Sequence, residues 1–296
     1  MLSETTTRHE KVVIIIPTYN EADVIENTIH QVMAEISLIP GFDITLLIFD
    51  SASQDETQST VTRLQSTYSQ LILKTETVKS GLGSAYLQAM TFALNTLKAD
   101  IIFEFDADLS HQPKYLKPML EKIKTCDVVL GSRYVKNGSI PKNWAFHRKC
   151  FSVLGNYIAR ALLTIKYKDF TSGFRASRRQ VLEKALPKQF LSNHYAYKLE
   201  LLWLLHQHKA KIIEYPIEFI DREQGESKLP KNTIRDSLRV VFTLRYRELT
   251  HYFKMCAVGS LGMAVQFITY NLLRQVLSPV VAAQIAVSAA IINNYI

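Results

Sequence analysis

A β-branched apolar run at residues 11–16 ends in Pro17-Thr18-Tyr19-Asn20, and an amphipathic stretch at 21–36 follows, which predicts a strand, a turn and a helix. The alternation recurs. Apolar segments at 44–49, 71–74 and 101–105 predict further strands, and the stretches at 55–69 and 84–97 predict helices between them. Strands of this kind, separated by helices, specify an α/β protein with a doubly wound, mostly parallel sheet. Such sheets bind ligands beyond the carboxyl ends of their strands, and the polar clusters at 17–21, 50–55, 106–108 and 131–133 fall there. A longer amphipathic segment at 144–165 mixes His147, Arg148, Lys149 and Arg160 with large apolar residues, so a core-facing and a bilayer-surface position are both open to it.

The tail differs in kind. Residues 255–273 are nineteen positions without a charge, and 275–296 form a second uncharged run, each long enough to cross hydrocarbon as a helix. The expected organisation is a domain over 1–230, a basic interfacial helix over 231–250 and a two-helix transmembrane hairpin over 251–296. Arg245, Arg247 and Lys254 precede the first span and Arg274 alone lies in the turn, so the charge asymmetry assigns the main domain to the cytoplasmic face of a multi-pass membrane protein. Residues 1–10 carry no apolar segment of the signal-peptide kind, which agrees with that orientation. No polar flank follows the second run, which suggests a longer parent chain with more spans.

Composition narrows the choice further. Apolar residues make up 47% of the 296, with 10 Gly and 9 Pro, which excludes global disorder and low-complexity chains. The net charge of +8 is unevenly spread: residues 222–254 hold eight Lys or Arg against four carboxylates, and no carboxylate follows His251. A basic collar before an uncharged tail points to a membrane boundary, whereas nucleic-acid binding calls for cations interleaved with stacking aromatics, a pattern the chain lacks. Cys126, Cys150 and Cys256 are odd in number, far apart and without metal-ligand spacing, which predicts buried thiols in a reducing compartment.

Several segments carry candidate chemistry. Asp106 and Asp108, one residue apart at a strand end, can jointly engage a divalent cation that bridges a nucleoside diphosphate; a structural acidic turn is the other reading. Asp50 and Asp55 divide in the same way between ligand contact and capping. Arg222 and Lys228 flank a Gly-containing loop able to approach a phosphate, and the 169–175 stretch Asp-Phe-Thr-Ser-Gly-Phe-Arg combines groups suited to a polar substrate.

In this order the segments resemble the dolichol- or polyprenyl-phosphate mannose synthases, inverting glycosyltransferases with a GT-A fold, over residues 11 to about 230. The resemblance implies that Pro17, Thr18, Tyr19, Asn20, Glu21 and Asp50 help to hold the nucleotide of the donor. The family's D-D-x-S-x-D-G-T stands here as residues 50–57, with its second acid and its Gly replaced. Its D-A-D is intact at Asp106, Ala107 and Asp108, which implies Mg²⁺ or Mn²⁺, while Ser110 occupies a position where a Gln often joins the metal. Gly131-Ser132-Arg133 supplies the arginine near the phosphates. Arg148 and Ser152, four apart on one helix face, match the acceptor-phosphate pair. Arg222 and Lys228 match the cations of the loop that closes on the donor. The stretch 193–200, Asn-His-Tyr-Ala-Tyr-Lys-Leu-Glu, is similar to the family's G-Y-A-F-Q-x-E with Gly and Gln replaced. The tail resembles the start of a GtrA-type membrane domain.

The resemblance implies transfer of mannose from GDP-mannose to a polyprenyl or dolichyl phosphate at the bilayer, with homo-oligomers through the tail helices as a possibility. A UDP-sugar such as UDP-glucose passed to undecaprenyl phosphate is the first alternative. A membrane adaptor or lipid-translocation module that only binds nucleotide is the second.

Overall fold

The structure, a computed structural model, describes residues 8–141, 144, 146–221 and 232–295. Two compact units divide the chain after Val241.

In the first unit, strands and helices alternate as β1 (Glu10–Thr18), α1 (Ala22–Ile36), β2 (Phe42–Asp50), α2 (Thr57–Gln65), β3 (Leu71–Thr75), α3 (Leu82–Asn95), β4 (Ile101–Glu104), α4 (Leu116–Lys122) and β5 (Val128–Ser132). The expected strands and helices of the first hundred residues are all present, with ends shifted by a few residues. The remaining elements are α5 (Phe146–Leu162), β6 (Arg175–Arg178), α6 (Arg179–Ala185), α7 (Tyr197–Gln207) and β7 (Ile212–Pro216). The seven strands run in the order β3-β2-β1-β4-β6-β5-β7. All pairings are parallel except those of β6, which is antiparallel to both β4 and β5.

Strand β1 explains why its sequence is apolar without alternation. Val12, Ile14 and Ile16 face one core with Ile25, Ile29 and Val32 of α1, while Val13 and Ile15 face the other with Tyr86, Ala89 and Met90 of α3. A strand covered by helices on both faces has no polar side to show. The direction of winding reverses between β1 and β4, because β2 and β3 lie on one side of β1 and β4 on the other. A crevice at the carboxyl ends of β1 and β4 follows from that reversal.

The second unit contains most of α8 (Thr233–Leu273), from Phe242 onward, and α9 (Pro279–Tyr295). The expected interfacial helix and first span are one continuous helix of 41 residues, since no Pro or Gly interrupts residues 233–258. It is the one helix among the described residues long and apolar enough to cross a membrane. The expected second span shortens to 17 residues because Pro279 occupies the first helical position and Ser278 precedes it, a start signal that a count of uncharged residues ignores. Ala282, Ala286 and Ala290, spaced by four, are the buried face of α9, and a side chain on Gly262 of α8 would collide with Asn294. Small residues let the two helices approach closely. Phe267, Leu272, Val280 and Ile292 remain exposed.

Of the thiols, Cys126 is buried as expected, but Cys150 and Cys256 are exposed. Both lie on helices with uncovered faces, where a periodicity argument does not specify burial.

Candidate functional site

The loops after β1 and β2 are stitched into one wall. Asp50, at the last position of β2, accepts hydrogen bonds from the Thr18 hydroxyl (2.8 Å), the Ser53 hydroxyl (2.5 Å), the Ser53 N–H (2.9 Å) and the Gln58 amide (2.7 Å). Its side chain is fully buried. Asp50 does not itself line the cleft; its carboxylate holds the loop, and its neighbour Ser51 lines the cleft. Asp55 does cap a helix, but one from another segment: it accepts the Ala22 N–H at the start of α1, besides the Thr57 N–H and hydroxyl. Asn20, Ala52 and Leu109, each just beyond a strand end, have positive φ of 51°, 57° and 56°. Ala and Leu hold that conformation at a cost, and strain of this kind collects where loops are shaped for a ligand.

The cleft that these loops border has a volume of about 740 Å³. It brings together Pro17, Tyr19, Glu21, Asp106, Ala107, Asp108, Arg133 and Ser152 from the sequence-derived set. Tyr19 lies beneath Lys79, whose ammonium is 3.2 Å from the ring centroid, a cation–π contact. Gly81, with φ of 100°, follows Lys79 closely; a side chain there would strike the Asn193 carbonyl. Glycine is the residue that fits both constraints.

Asp106 and Asp108 sit on the loop leaving β4. The Asp106 side chain is 23% exposed and has the Lys198 ammonium 3.5 Å from Oδ2. Asp108 accepts the Ser110 N–H at 3.1 Å. His111 lies beneath, stacked on Phe174 at 5.0 Å, and its Nδ1 accepts the Asp106 N–H at 3.2 Å. Burial pulls the His111 pKa down from 6.5 to about 4, against the pull of the Asp106 charge. The ring is thus neutral, and its 3.6 Å approach to the Asp106 carboxylate is no ion pair.

The opposite wall comes from β5, α5 and the 169–175 stretch. Arg133 donates through Nε and Nη2 to the two oxygens of Asp169, both at 2.7 Å, and through Nη2 to the Thr171 hydroxyl. Burial alone would raise the Asp169 carboxyl; the charge and hydrogen bonds of Arg133 outweigh it and hold the group below the ordinary carboxylate range. Asn156 of α5 donates to the Ser152 carbonyl and the Thr171 hydroxyl and accepts the Phe170 N–H, which ties α5 to this stretch. The Ser152 hydroxyl bonds that of Tyr134 at 2.7 Å. Within 169–175, Thr171, Ser172 and Gly173 line the cleft. Asp169 is committed to Arg133, and Arg175 is fully buried in a bidentate pair with Glu104 in the middle of the sheet. Arg222, Lys228 and the side chain of Arg148 lie outside the described residues.

Lys198, His111 and Lys79 belong to the cleft and were missed as site residues. Lys198 had a signal, a cation where a neutral amide stands in the related stretch. His111 had none, because a lone histidine after an acidic turn is common.

The site's hard oxygen donors suit a divalent cation of the Mg²⁺ type, which takes one or two carboxylates and completes its shell with phosphate oxygens and water. Among the described residues no cluster of three or more His, Cys, Asp or Glu could enclose a metal; Asp106 and Asp108 are two acids lining an open cleft.

A crevice at the strand reversal, with acids on one wall and an arginine on the other, lies where open α/β sheets bind their ligands. The sequence pattern of Glycosyl transferase family 2 matches residues 13–186, and the chain belongs to that family: it is a glycosyltransferase. A polyprenol monophosphomannose synthase of Mycolicibacterium smegmatis is 32% identical over 77% of this chain and 84% of its own length. An undecaprenyl-phosphate mannosyltransferase of Micrococcus luteus is 34% identical over 77% of this chain and 91% of its own. Among solved structures, glucosyl-3-phosphoglycerate synthase from Mycobacterium tuberculosis, in complex with Mn²⁺, UDP and glucosyl-3-phosphoglycerate, aligns with a TM-score of 0.55 at 20% identity, covering 80% of each chain. At that identity the likeness is one of fold. Family membership sets aside the expectation of a non-enzymatic adaptor.

Proposed function

We propose that the protein transfers mannose from GDP-mannose to a polyprenyl or dolichyl phosphate, with inversion at the anomeric carbon and with a divalent cation, Mg²⁺ or Mn²⁺, held by Asp106 and Asp108. The observation that carries this reading is the union in one cleft of the Asp106–Asp108 pair at the end of β4 with Arg133 and Ser152 on the facing wall. The activities named for the two bacterial relatives support the acceptor class and the sugar.

The chemistry is one of charge. A phosphate monoester is largely ionised at pH 7, so the acceptor needs little help from a general base. The obstacle is repulsion between an anionic acceptor and an anionic donor, and the charge that gathers on the departing diphosphate. The cation would offset the leaving-group charge as a Lewis acid. Pro17, Tyr19 and Glu21, which line the cleft, would hold the donor in this reading. Arg133, fixed in place by Asp169 and Thr171, receives the acceptor phosphate together with Ser152 and, in the same proposal, Arg148. By the resemblance, Arg222 and Lys228 would supply cations to the donor phosphates. A preset guanidinium does not have to reorganise as the reaction proceeds, which is where electrostatic catalysis gains most.

The long apolar stretch of α8 supports a membrane anchor, and the cations before it, Arg245, Arg247 and Lys254, would keep the catalytic unit on the cytoplasmic face. A lipid-bound acceptor is met most often by an enzyme held at the interface. The test is a donor screen: GDP-mannose, UDP-glucose and UDP-GlcNAc with a short polyprenyl phosphate in detergent, product followed by mass. GDP-mannose is expected to be used at least tenfold faster than the others, a gap of about 1.4 kcal/mol in barrier. Preference for UDP-glucose would replace the donor assignment.

A further inference from the structure

Lys198 is out of place by ordinary electrostatics. It stands in the first turn of α7, where the helix dipole disfavours a cation, and only 5% of it is exposed. Its ammonium lies 3.5 Å from Asp106 Oδ2 and 5.3 Å from the centre of the Tyr195 ring. The position is also built for it: a side chain at Gly173 would occupy the space of Lys198 Nζ and Cε. The chain thus spends a buried lysine and a glycine on setting a fixed positive charge against the first acid of the Asp106–Asp108 pair.

We propose that Lys198 is a positioning residue that keeps this pair from loading a divalent cation until a nucleoside diphosphate is present. The inference rests on the reading of Asp106 and Asp108 as metal-holding acids. In the empty cleft, the ammonium and the dication compete for the same carboxylate, and two cations sharing one oxygen's surroundings repel strongly where water is scarce. A diphosphate brings the missing negative charge, so dication and ammonium can then be accommodated together. Cation and donor would enter as one unit, and the unloaded enzyme would discriminate against free metal.

The experiment measures Mn²⁺ binding, by electron paramagnetic resonance of the free ion, to full-length protein in detergent, with and without GDP and corrected for Mn²⁺ held by GDP alone. Wild type is expected to bind Mn²⁺ roughly tenfold or more tightly when GDP is present. In Lys198→Gln and Lys198→Met, donor-free Mn²⁺ affinity is expected to rise roughly tenfold, an increase that a merely structural role would not produce. Equal wild-type affinity with and without GDP overturns the proposal without any variant. Unchanged or weakened donor-free binding in the variants, with GDP-dependent binding intact in wild type, overturns the role of Lys198 and leaves the metal reading standing. No Mn²⁺ binding by wild type even with GDP overturns both.

Discussion

The guanidinium of Arg133 meets the carboxylate of Asp169 edge to edge, two hydrogen bonds of 2.7 Å, with Asp169 wholly buried and the Arg133 side chain 9% exposed. The pair commits the Asp169 carboxylate to Arg133 on the wall that faces Asp106 and Asp108.

Asp169→Asn should leave the Arg133 charge buried without its counter-ion. A loss of about 3 kcal/mol in stability is expected, as for other buried pairs broken on one side. Thermal unfolding followed by the fluorescence of the two tryptophans measures it, and a shift near zero would mean that water or a neighbour replaces the lost carboxylate at no cost.

His111 gives a pH dependence with a definite sign. Its folded pKa of about 4 lies below the ordinary 6.5, so the unfolded chain takes up a proton that the folded one refuses. This contribution to stability is complete above pH 6.5, declines as pH falls toward 4, and is then spent, for a total of roughly 3 kcal/mol. His111→Gln should flatten the fall in unfolding midpoint between pH 7 and 4. Parallel curves for the two proteins would contradict the buried, neutral imidazole.

Asp50→Asn replaces an acceptor by a donor opposite the Ser53 N–H and the Gln58 amide. The loop carrying Ser51 should loosen, with a stability loss of about 1–3 kcal/mol and weaker GDP binding together. Calorimetry and melting are read side by side. Weaker GDP binding at unchanged stability would mean that Asp50 contacts the nucleotide itself.

If α8 anchors the protein, the full-length chain should remain with membranes through an alkaline carbonate wash and be released by detergent. Recovery in the supernatant of that wash would reduce α8 to a surface helix.

Much of this was legible in the residues, and the failures have physical causes. The strands of the parallel half and the Asp106–Asp108 pair could be read because a two-sided strand is uniformly apolar and must end in polar turns. Arg175 read as a substrate contact because its partner Glu104 lies 71 positions earlier, and no local pattern reveals a charge that pairs across strands. Asp50 reads as a ligand group because an acid at a strand end has the same local pattern whether it meets a ligand or accepts hydrogen bonds from Thr18 of β1, Ser53 and Gln58 of α2. Lys198 was visible only as a departure from a related stretch. Its meaning required the distance to Asp106.

The most direct measurement of the central claim is the initial rate of mannose transfer from GDP-mannose to a short polyprenyl phosphate, for wild type and Asp108→Asn, with Mn²⁺ and with excess EDTA. Asp108→Asn nearly preserves shape while removing a charged ligand, so a fall of about a hundredfold or more is expected, equivalent to roughly 3 kcal/mol of lost transition-state stabilisation, with no turnover by wild type in EDTA. Undiminished transfer by Asp108→Asn, or full wild-type activity in EDTA, would contradict the assignment of Asp106 and Asp108 as the residues that hold the reaction's cation.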